Sequence, residues 1–284
     1  MRRGKVLNLR DRIGIDLGCK LPLEEGIAWA GSKQVRFVDA QVDIAPNALE
    51  SFDDARCRSV REACAQHGIH LGLHTLSAVN TAELSPFLRD AADRYLQAYC
   101  DLSVKLGAEW IVVHAGYHFT SDKTPRMRAS LDRLTRAAHY AEKAGAKLLL
   151  ENLNREPDRA EVHYLAHDVE ECRFFFDRID SPALGWSFTV NHATLVPEGI
   201  DGFIDAMPME RCGEVRLADN NGEYELHMFP GEGIIDFPRL FQRLESTGFD
   251  GHFTNAFGSI EECLRGRDVL LDMAAEAGLA RPRG

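Results

Sequence analysis

The chain has 284 residues, of which 45% are hydrophobic, and a formal net charge of −11 at neutral pH. This size fits one large α/β barrel or two ordinary domains. The acidic balance excludes a general basic surface, so we expect a small-molecule substrate and no nucleic acid. A local basic cleft remains possible on such a protein. Because neither a leader-like apolar segment nor a run of about 18 apolar residues occurs, we expect a cytoplasmic protein with no membrane span.

A helix that ends on glycine and is followed by an apolar run recurs along the chain. The repeat is seen at Gly68, Gly107, Gly145 and Gly248. Glycine is common where a helix ends in the left-handed conformation, so each unit indicates helix, cap and strand. Together with four further apolar runs, these units predict eight strands alternating with helices. The predicted strands lie at residues 12–17, 35–39, 69–74, 108–114, 146–151, 183–189, 214–219 and 249–255.

This alternation indicates parallel strands that are joined by crossover helices. Eight units in a chain of this length predict a closed (β/α)8 barrel, whereas an open doubly wound sheet would more often carry a glycine-rich phosphate turn after its first strand. The first strand is followed by D16-L-G-C-K-L-P22, which is not that motif. We therefore predict an α/β fold, with residues 1–284 in a single TIM-barrel domain.

Side chains that bind metals or move protons cluster at the predicted strand ends. In such barrels the chemistry lies at the C-terminal ends of the strands, where the βα loops open. A single histidine there is more readily a hydrogen-bonded structural residue, but the shared position of many such groups favours a functional mouth. The predicted mouth comprises His74, His114, Glu151, Thr189, His192, Asp219, Glu225, His227 and Asn255. We expect the other histidines, including His252 at the start of the last strand, to be structural or surface residues.

With these motifs in order, the chain resembles the xylose isomerase-like TIM-barrel superfamily, the sugar phosphate isomerase and epimerase group that is related to endonuclease IV. The resemblance covers nearly the whole chain. It rests on H114-A-G, L149-L-E151-N, L184-G-W-S-F-T-V-N-H192-A, V215-R-L-A-D219-N-N-G and H227-M-F-P-G231-E-G-I-I-D236. The resemblance implies an isomerase- or epimerase-like enzyme, or a lyase, that abstracts a proton next to the carbonyl of a small polyol, sugar or hydroxy acid.

The resemblance also implies a divalent metal, such as Mn²⁺, Mg²⁺, Zn²⁺ or Co²⁺, held at the ends of strands five to eight. Glu151 matches the first ligand, whereas Thr189, Arg216 and Asn255 stand at the other three positions. Threonine and asparagine replace carboxylate ligands poorly, and arginine cannot coordinate a metal because it stays protonated. We therefore expect no metal at the usual place.

Two hypotheses explain how the site could work without a metal at the usual place. In the first, Arg216 supplies the positive charge: it pairs with Glu151 at rest and then holds a substrate oxygen. In the second, the resemblance to the endonuclease-like relatives implies a metal elsewhere on the rim. The candidate metal trios are His74, His114 and Glu151, and His192, Glu225 and His227.

The alternative role for the same residues is direct catalysis and substrate binding without a metal. We predict Glu151, Arg216 and His227 to be catalytic, with Glu151 or a nearby histidine as the base. The predicted substrate-binding residues are His74, His114, Thr189, His192, Glu225 and Asn255. Both interpretations of the histidines stay open at this point.

Two other functions compete with the isomerase hypothesis. An endonuclease IV-like phosphodiesterase is compatible with the two outer trios, but the acidic balance opposes the binding of DNA. A non-catalytic relative that binds a ligand is the third possibility, since a fold does not guarantee activity. A homo-oligomer also stays open, because apolar helix faces such as R173-F-F-F176 suit either a core or an interface.

Overall fold

Eight parallel strands form a closed barrel in the computed structural model, which describes residues 8–279. The order around the barrel is β1-β2-β3-β4-β6-β8-β9-β10 and back to β1. The predicted TIM barrel is therefore confirmed, while the assignment of the whole chain to one domain stays a prediction. The barrel strands are β1 (Ile13–Asp16), β2 (Phe37–Ala40), β3 (His70–His74), β4 (Trp110–Val113), β6 (Leu148–Glu151), β8 (Leu184–Thr189), β9 (Cys212–Leu217) and β10 (His252–Asn255).

Helices surround the barrel and connect its strands. Among residues 8–279, no helix is both long enough and apolar enough to cross a membrane. The α-helices are α1 (Leu9–Arg12), α2 (Leu23–Ser32), α3 (Asp54–His67), α4 (Pro86–Leu106), α5 (Lys123–Ala144), α6 (Val169–Phe176), α7 (Val190–Ala193), α8 (Gly199–Ala206), α9 (Phe237–Ser246) and α10 (Ile260–Glu276). Short 3-10 helices lie at Leu49–Ser51 and Met209–Arg211.

Local sequence explains where several of these helices begin and end. The Asp53 side chain accepts the Arg56 N–H at 2.7 Å and so caps the start of α3. At the other end, Gly68 has φ 64°, a left-handed value that costs glycine little. Gly107 and Gly145 end α4 and α5 in the same way, with φ 70° and 86°. The predicted cap at each of these three glycines is thus confirmed.

The lower part of the barrel is filled by stacked rings and carries no functional groups of the mouth. The Phe37 ring stacks on His70 at 4.6 Å and on His252 at 4.7 Å, and the Trp110 indole lies 4.1 Å from His252. Burial lowers the pKa of His252 to about 4, so this imidazole is neutral. A Cβ on Gly72 would lie 2.0 Å from the Trp110 indole, which explains why glycine is needed there. His252 lies among these rings, away from the mouth, and its structural role stays a prediction.

A separate two-stranded antiparallel sheet was not predicted from the sequence. It joins β5 (Tyr117–Phe119) and β7 (Val162–Tyr164) in antiparallel register.

Glu171 of α6 is a buried carboxylate that accepts the Ala166 N–H at 2.8 Å. Burial alone would raise the pKa of Glu171, but its bonds to His167 and Lys123 outweigh burial and lower the pKa to about 2.

Candidate active site

The first trio, His74, His114 and Glu151, lies at the C-terminal ends of β3, β4 and β6. Glu151 Oε2 is 3.0 Å from His114 Nε2 and 3.5 Å from His74 Nε2, and the two nitrogens are 3.1 Å apart. All three side chains are buried. Tetrahedral ligands at 2.0–2.1 Å from an ion are about 3.3 Å apart, so these three atoms match the ligand spacing of a zinc-like ion.

Hydrogen bonds around His114 determine which of its ring nitrogens carries a proton. The Thr75 hydroxyl donates to the Val112 carbonyl at 2.9 Å, so its oxygen accepts the His114 Nδ1–H at 3.3 Å. Neutral His114 therefore presents an unprotonated Nε2 to the Glu151 carboxylate. Two acceptors at 3.0 Å repel each other unless a proton or a cation lies between them.

The first trio places an ionised carboxylate beside a neutral imidazole. Burial lowers the pKa of His114 and outweighs the opposing effect of Glu151, so the imidazole is neutral. Burial would raise the pKa of Glu151, but the two imidazoles that face it hold the pKa well below its ordinary value, so this carboxylate is ionised. Within residues 8–279, His74 Nδ1 is buried without a hydrogen-bond partner. The trio thus offers one carboxylate and two imidazoles, a sensible ligand set for zinc or a similar ion.

The second trio, His192, Glu225 and His227, repeats this arrangement beside the first. Glu225 Oε1 is 3.1 Å from His192 Nε2 and 2.6 Å from His227 Nε2. The opposite nitrogens point at main-chain carbonyls: His192 Nδ1 at Asn152 O, 2.7 Å away, and His227 Nδ1 at Ala256 O, 2.5 Å away. Fixing one ring nitrogen on a backbone carbonyl is how proteins orient histidines that bind metals.

The second trio differs from the first in charge and exposure. Burial lowers the pKa of His192, but the bond to Glu225 outweighs burial and the net pKa is raised. The same contacts with His192 and His227 overcome burial and lower the pKa of Glu225 to about 2. The His227 side chain is 42% exposed and the His114 side chain only 2%. The second trio therefore opens to solvent at His227, and its buried His192 is more readily protonated than His114.

Asp219 arranges the loop that carries Glu225 and His227 back over the mouth. Its buried carboxylate accepts backbone N–H groups from Gly231 at 2.8 Å and Gly233 at 2.9 Å, and others from Asn220 and Ile235. A Cβ on Gly233 would lie 2.3 Å from the Asn220 carbonyl, so the close approach requires glycine. Asp219 therefore acts on the site through the backbone of this loop.

Arg216 does not form the expected ion pair with Glu151. Its Nη2 donates to Asp16 at 2.7 Å, and its Nη1 donates to Glu214 at 3.0 Å and also to Asp39. The expectation of one guanidinium facing one carboxylate is therefore wrong, because Arg216 is surrounded by three other carboxylates. The guanidinium is 3% exposed and lies inside the barrel.

The carboxylates around Arg216 differ in how readily they ionise. Burial and repulsion from Glu214 raise the pKa of Asp39 well above its ordinary value. Burial would raise the pKa of Glu214 as well, but the charge of Arg216 outweighs it and the net pKa is lowered. Asp39 also accepts the Trp110 indole N–H at 2.8 Å. We therefore describe Arg216 as an internal cation that balances buried carboxylates.

The structure does not place Asn255 in the mouth, and its prediction as a substrate-binding residue is wrong. In the barrel register Thr254 pairs with Arg216, which points inward, so the next side chain points outward. The Asn255 amide accordingly donates to the Cys263 carbonyl of α10 at 2.8 Å. Thr189 does lie in the mouth, where its hydroxyl donates to Glu151 Oε1 at 2.5 Å.

Several residues of the site were missed from the sequence. Asp16 and Asp39 stand at or next to the ends of predicted strands, and the rule that selected Glu151 would have selected them also. Asn152 follows Glu151 directly, but nothing in its sequence position indicates its contacts. Thr75 acts only through the ring of His114, and such a contact has no sequence signal.

Comparison with known proteins agrees with this barrel and its mouth. The pattern of the xylose isomerase-like TIM barrel family matches residues 28–265. An uncharacterized protein of Methanocaldococcus jannaschii, MJ1311, is 25% identical over 199 residues, which are 68% of this chain and 66% of that protein. The matched region thus spans just under two thirds of that relative.

Solved structures of similar shape carry the names of sugar epimerases. A D-tagatose 3-epimerase-like protein superposes with a TM-score of 0.80 at 19% identity, covering 94% of this chain and 98% of that chain. A D-psicose 3-epimerase from Clostridium cellulolyticum H10 superposes with a TM-score of 0.78 at 17% identity, covering 95% and 100%. At this identity the likeness establishes the fold alone. Since the family pattern spans most of the sequence, the chain belongs to the xylose isomerase-like TIM barrel family.

Proposed function

We propose that this protein is an isomerase- or epimerase-type enzyme for a small hydroxy-carbonyl compound, with a divalent cation held by His74, His114 and Glu151. One arrangement carries the proposal: His114 Nε2 lies 3.0 Å from Glu151 Oε2, while the Thr75 hydroxyl favours the tautomer with the His114 proton on Nδ1. A dication removes the repulsion between these two acceptors. When bound there, such an ion would supply Lewis acidity toward a substrate carbonyl oxygen.

The residues around the first trio keep its ligand atoms in place. The Thr189 hydroxyl holds Glu151 Oε1, which leaves Oε2 for the ion. Thr75 keeps the proton of His114 on Nδ1. Arg216 takes no part in this ligand set, because its bonds go to Asp16, Asp39 and Glu214. In this proposal Arg216 balances charge below the mouth and does not hold the substrate.

The second trio is the proton-transfer group in this proposal. His227 is half exposed and its Nε2 is 2.6 Å from Glu225 Oε1, so a proton can be held between them at the open side of the mouth. Glu225 Oε2 is buried without a hydrogen-bond partner among the described residues. Because that oxygen is shielded and the pKa of Glu225 is lowered to about 2, Glu225 orients His227, and His227 is the group of this trio that a substrate at the open side would reach.

The class of substrate follows from family membership and from the polar mouth. The family pattern and the similarity in fold to the two epimerases favour a polyol, sugar or hydroxy acid. Histidine, carboxylate and amide groups suit the hydroxyl groups of such molecules. The phosphodiesterase alternative has less support, because the net charge of −11 opposes the binding of DNA.

Solvent exchange tests the reaction class directly. We expect the protein with added Zn²⁺, Co²⁺ or Mn²⁺ to exchange the C–H proton next to the carbonyl of at least one ketose, aldose or hydroxy acid in ²H₂O, as followed by proton NMR. Exchange should disappear in His74→Ala and in Glu225→Gln. His139→Ala is the matched control, since His139 is exposed on α5. Exchange that continues unchanged in His74→Ala and in chelator would contradict the role of the cation.

A negative result in that panel discriminates between the remaining functions. No exchange with any compound, together with tight binding of an acidic ligand, would favour a non-catalytic relative. Cation-dependent cleavage of a DNA phosphodiester would favour the endonuclease-like alternative. Either outcome would replace the isomerase proposal.

A further inference from the structure

We propose that Asn152 is a positioning residue that holds both trios in place, an inference that rests on the proposed function of the first trio. Asn152 is completely buried and follows Glu151 at the end of β6. It touches no ligand atom of either trio through its side chain. Its role would be to fix the backbone on which those ligands stand.

The Asn152 side chain clamps the end of strand β8. Its Nδ2 donates to the Thr189 carbonyl at 3.0 Å, and its Oδ1 accepts the Thr189 N–H at 2.9 Å. The register of β6 with β8 ends at Glu151 and Ser187, so the amide continues the ladder where the backbone pairing stops. Both polar atoms of the Asn152 side chain therefore form hydrogen bonds with the backbone of Thr189.

Through Thr189 this clamp reaches the first trio. The Thr189 hydroxyl donates to Glu151 Oε1 at 2.5 Å, and its direction depends on the backbone that Asn152 holds. A carboxylate that lost this donor could rotate and present a different oxygen to His114. The position of Glu151 Oε2 is therefore set in part by Asn152.

Through its own carbonyl Asn152 reaches the second trio. Asn152 O accepts the His192 Nδ1–H at 2.7 Å, which turns His192 Nε2 toward Glu225. His192 Nδ1 also lies 3.7 Å from Glu151 Oε1, so the two trios are neighbours. One residue thus contacts both trios, and loss of its side-chain clamp should loosen the backbone carbonyl that holds His192 as well as the hydroxyl that holds Glu151.

The chain offers a matched control for the loss of such a clamp. Asn47 is also buried, and its side chain makes the same pair of backbone bonds, accepting the Leu23 N–H at 2.9 Å and donating to the Leu21 carbonyl at 2.8 Å. Asn47 lies in the loop after β2, its side chain binds the start of α2 and the Arg56 guanidinium, and none of these bonds involves either trio. Asn152→Ala and Asn47→Ala therefore remove similar bonds from different places.

Cobalt titrations would measure the first trio. A His227→Ala background removes the second trio as a competing site. We expect Asn152→Ala to lower the Co²⁺ affinity by about 10–100-fold, the usual cost of losing a group that orients ligands. Asn47→Ala should leave the affinity within about twofold of the parent value. An Asn152→Ala protein that is less stable but keeps the Co²⁺ affinity would overturn the inference.

A metal-free measurement separates this inference from the proposed function. In protein labelled with ¹⁵N-histidine, the ring nitrogen spectrum identifies the protonated nitrogen of His192. We expect Nδ1–H in the parent protein and in Asn47→Ala, and a mixture of tautomers in Asn152→Ala. If the parent protein binds no Co²⁺, the proposed function fails, and an unchanged His192 spectrum in Asn152→Ala would overturn the role of Asn152 separately. Should Asn152→Ala not fold, Asn152→Asp keeps the acceptor but loses the donor, and the same changes are expected.

Discussion

Replacement of Thr75 by valine tests how the protonation of His114 is set. The two side chains have nearly the same shape, but valine lacks the oxygen that accepts the His114 Nδ1–H at 3.3 Å. The Val112 carbonyl loses the Thr75 hydroxyl and keeps the Thr75 backbone N–H at 3.0 Å, so it is not left unpaired. The change therefore acts mainly on the imidazole.

The size of the effect follows from the lost bond. A buried hydrogen bond contributes about 1 kcal/mol net, and His114 without it can place its proton on Nε2, the nitrogen that faces Glu151. Loss of a group that orients a metal ligand costs about 10–100-fold in affinity. Because the bond is long, we expect the lower end, about tenfold or about 1.4 kcal/mol.

The assay is competition for Zn²⁺ between the protein and a chelating dye at constant neutral pH. The matched control is Thr81→Val, since Thr81 is also buried and donates to His114, but to its backbone carbonyl, at 2.7 Å. We expect zinc affinity to fall in Thr75→Val and to stay near the parent value in Thr81→Val. Equal affinities in the two variants would refute the reasoning about the tautomer.

Three further predictions concern the interior and the periphery. Arg216→Met should lower the free energy of unfolding by about 3–5 kcal/mol, because buried carboxylates lose their counter-ion. Adding Asp39→Asn should restore part of that stability. If urea unfolding shows no recovery in the double variant, Asp39 and Arg216 do not belong to one charge cluster. Asn255→Ala should reduce stability by about 1–2 kcal/mol without changing cation affinity, and a tenfold loss of affinity would argue against its outward orientation. Burial alone would raise the pKa of Glu171, but its bonds to His167 and Lys123 outweigh burial and lower the pKa to about 2. This carboxylate therefore stabilises the fold above about pH 4.5, and its contribution is lost as the pH falls toward 2. Glu171→Gln should therefore cost up to about 3 kcal/mol at neutral pH and little at pH 2, and an equal cost in urea titrations at both pH values would contradict this.

The barrel was predictable because its signals are local. Gly68, Gly107 and Gly145 end helices in the left-handed conformation whatever surrounds them, and the apolar runs after them need two buried faces. The same rule placed Glu151 at the mouth. The two-stranded sheet of β5 and β7 was missed because three-residue strands have no recognisable period, and the two strands meet only where the barrel brings them together.

The partners of the site residues were less predictable than the residues themselves. Arg216 bonds to Asp16 and Asp39, which are 200 and 177 residues away in the chain, so only the closed barrel reveals the cluster. The orientation of Asn255 depends on strand register, in which a shift of one residue exchanges the inward and outward faces. The sequence indicated which groups gather at the mouth but not which of them touch.

The position of a bound metal ion tests the central claim most directly. Crystals grown with Zn²⁺ or Co²⁺ and measured at the absorption edge of that metal would locate it by anomalous scattering. We predict one ion bound by His74 Nε2, His114 Nε2 and Glu151 Oε2 at about 2.0–2.2 Å, with Arg216 still bonded to Asp16 and Glu214. An ion beside Arg216 that displaces the guanidinium, or no ion at the first trio at saturating metal, would contradict the account.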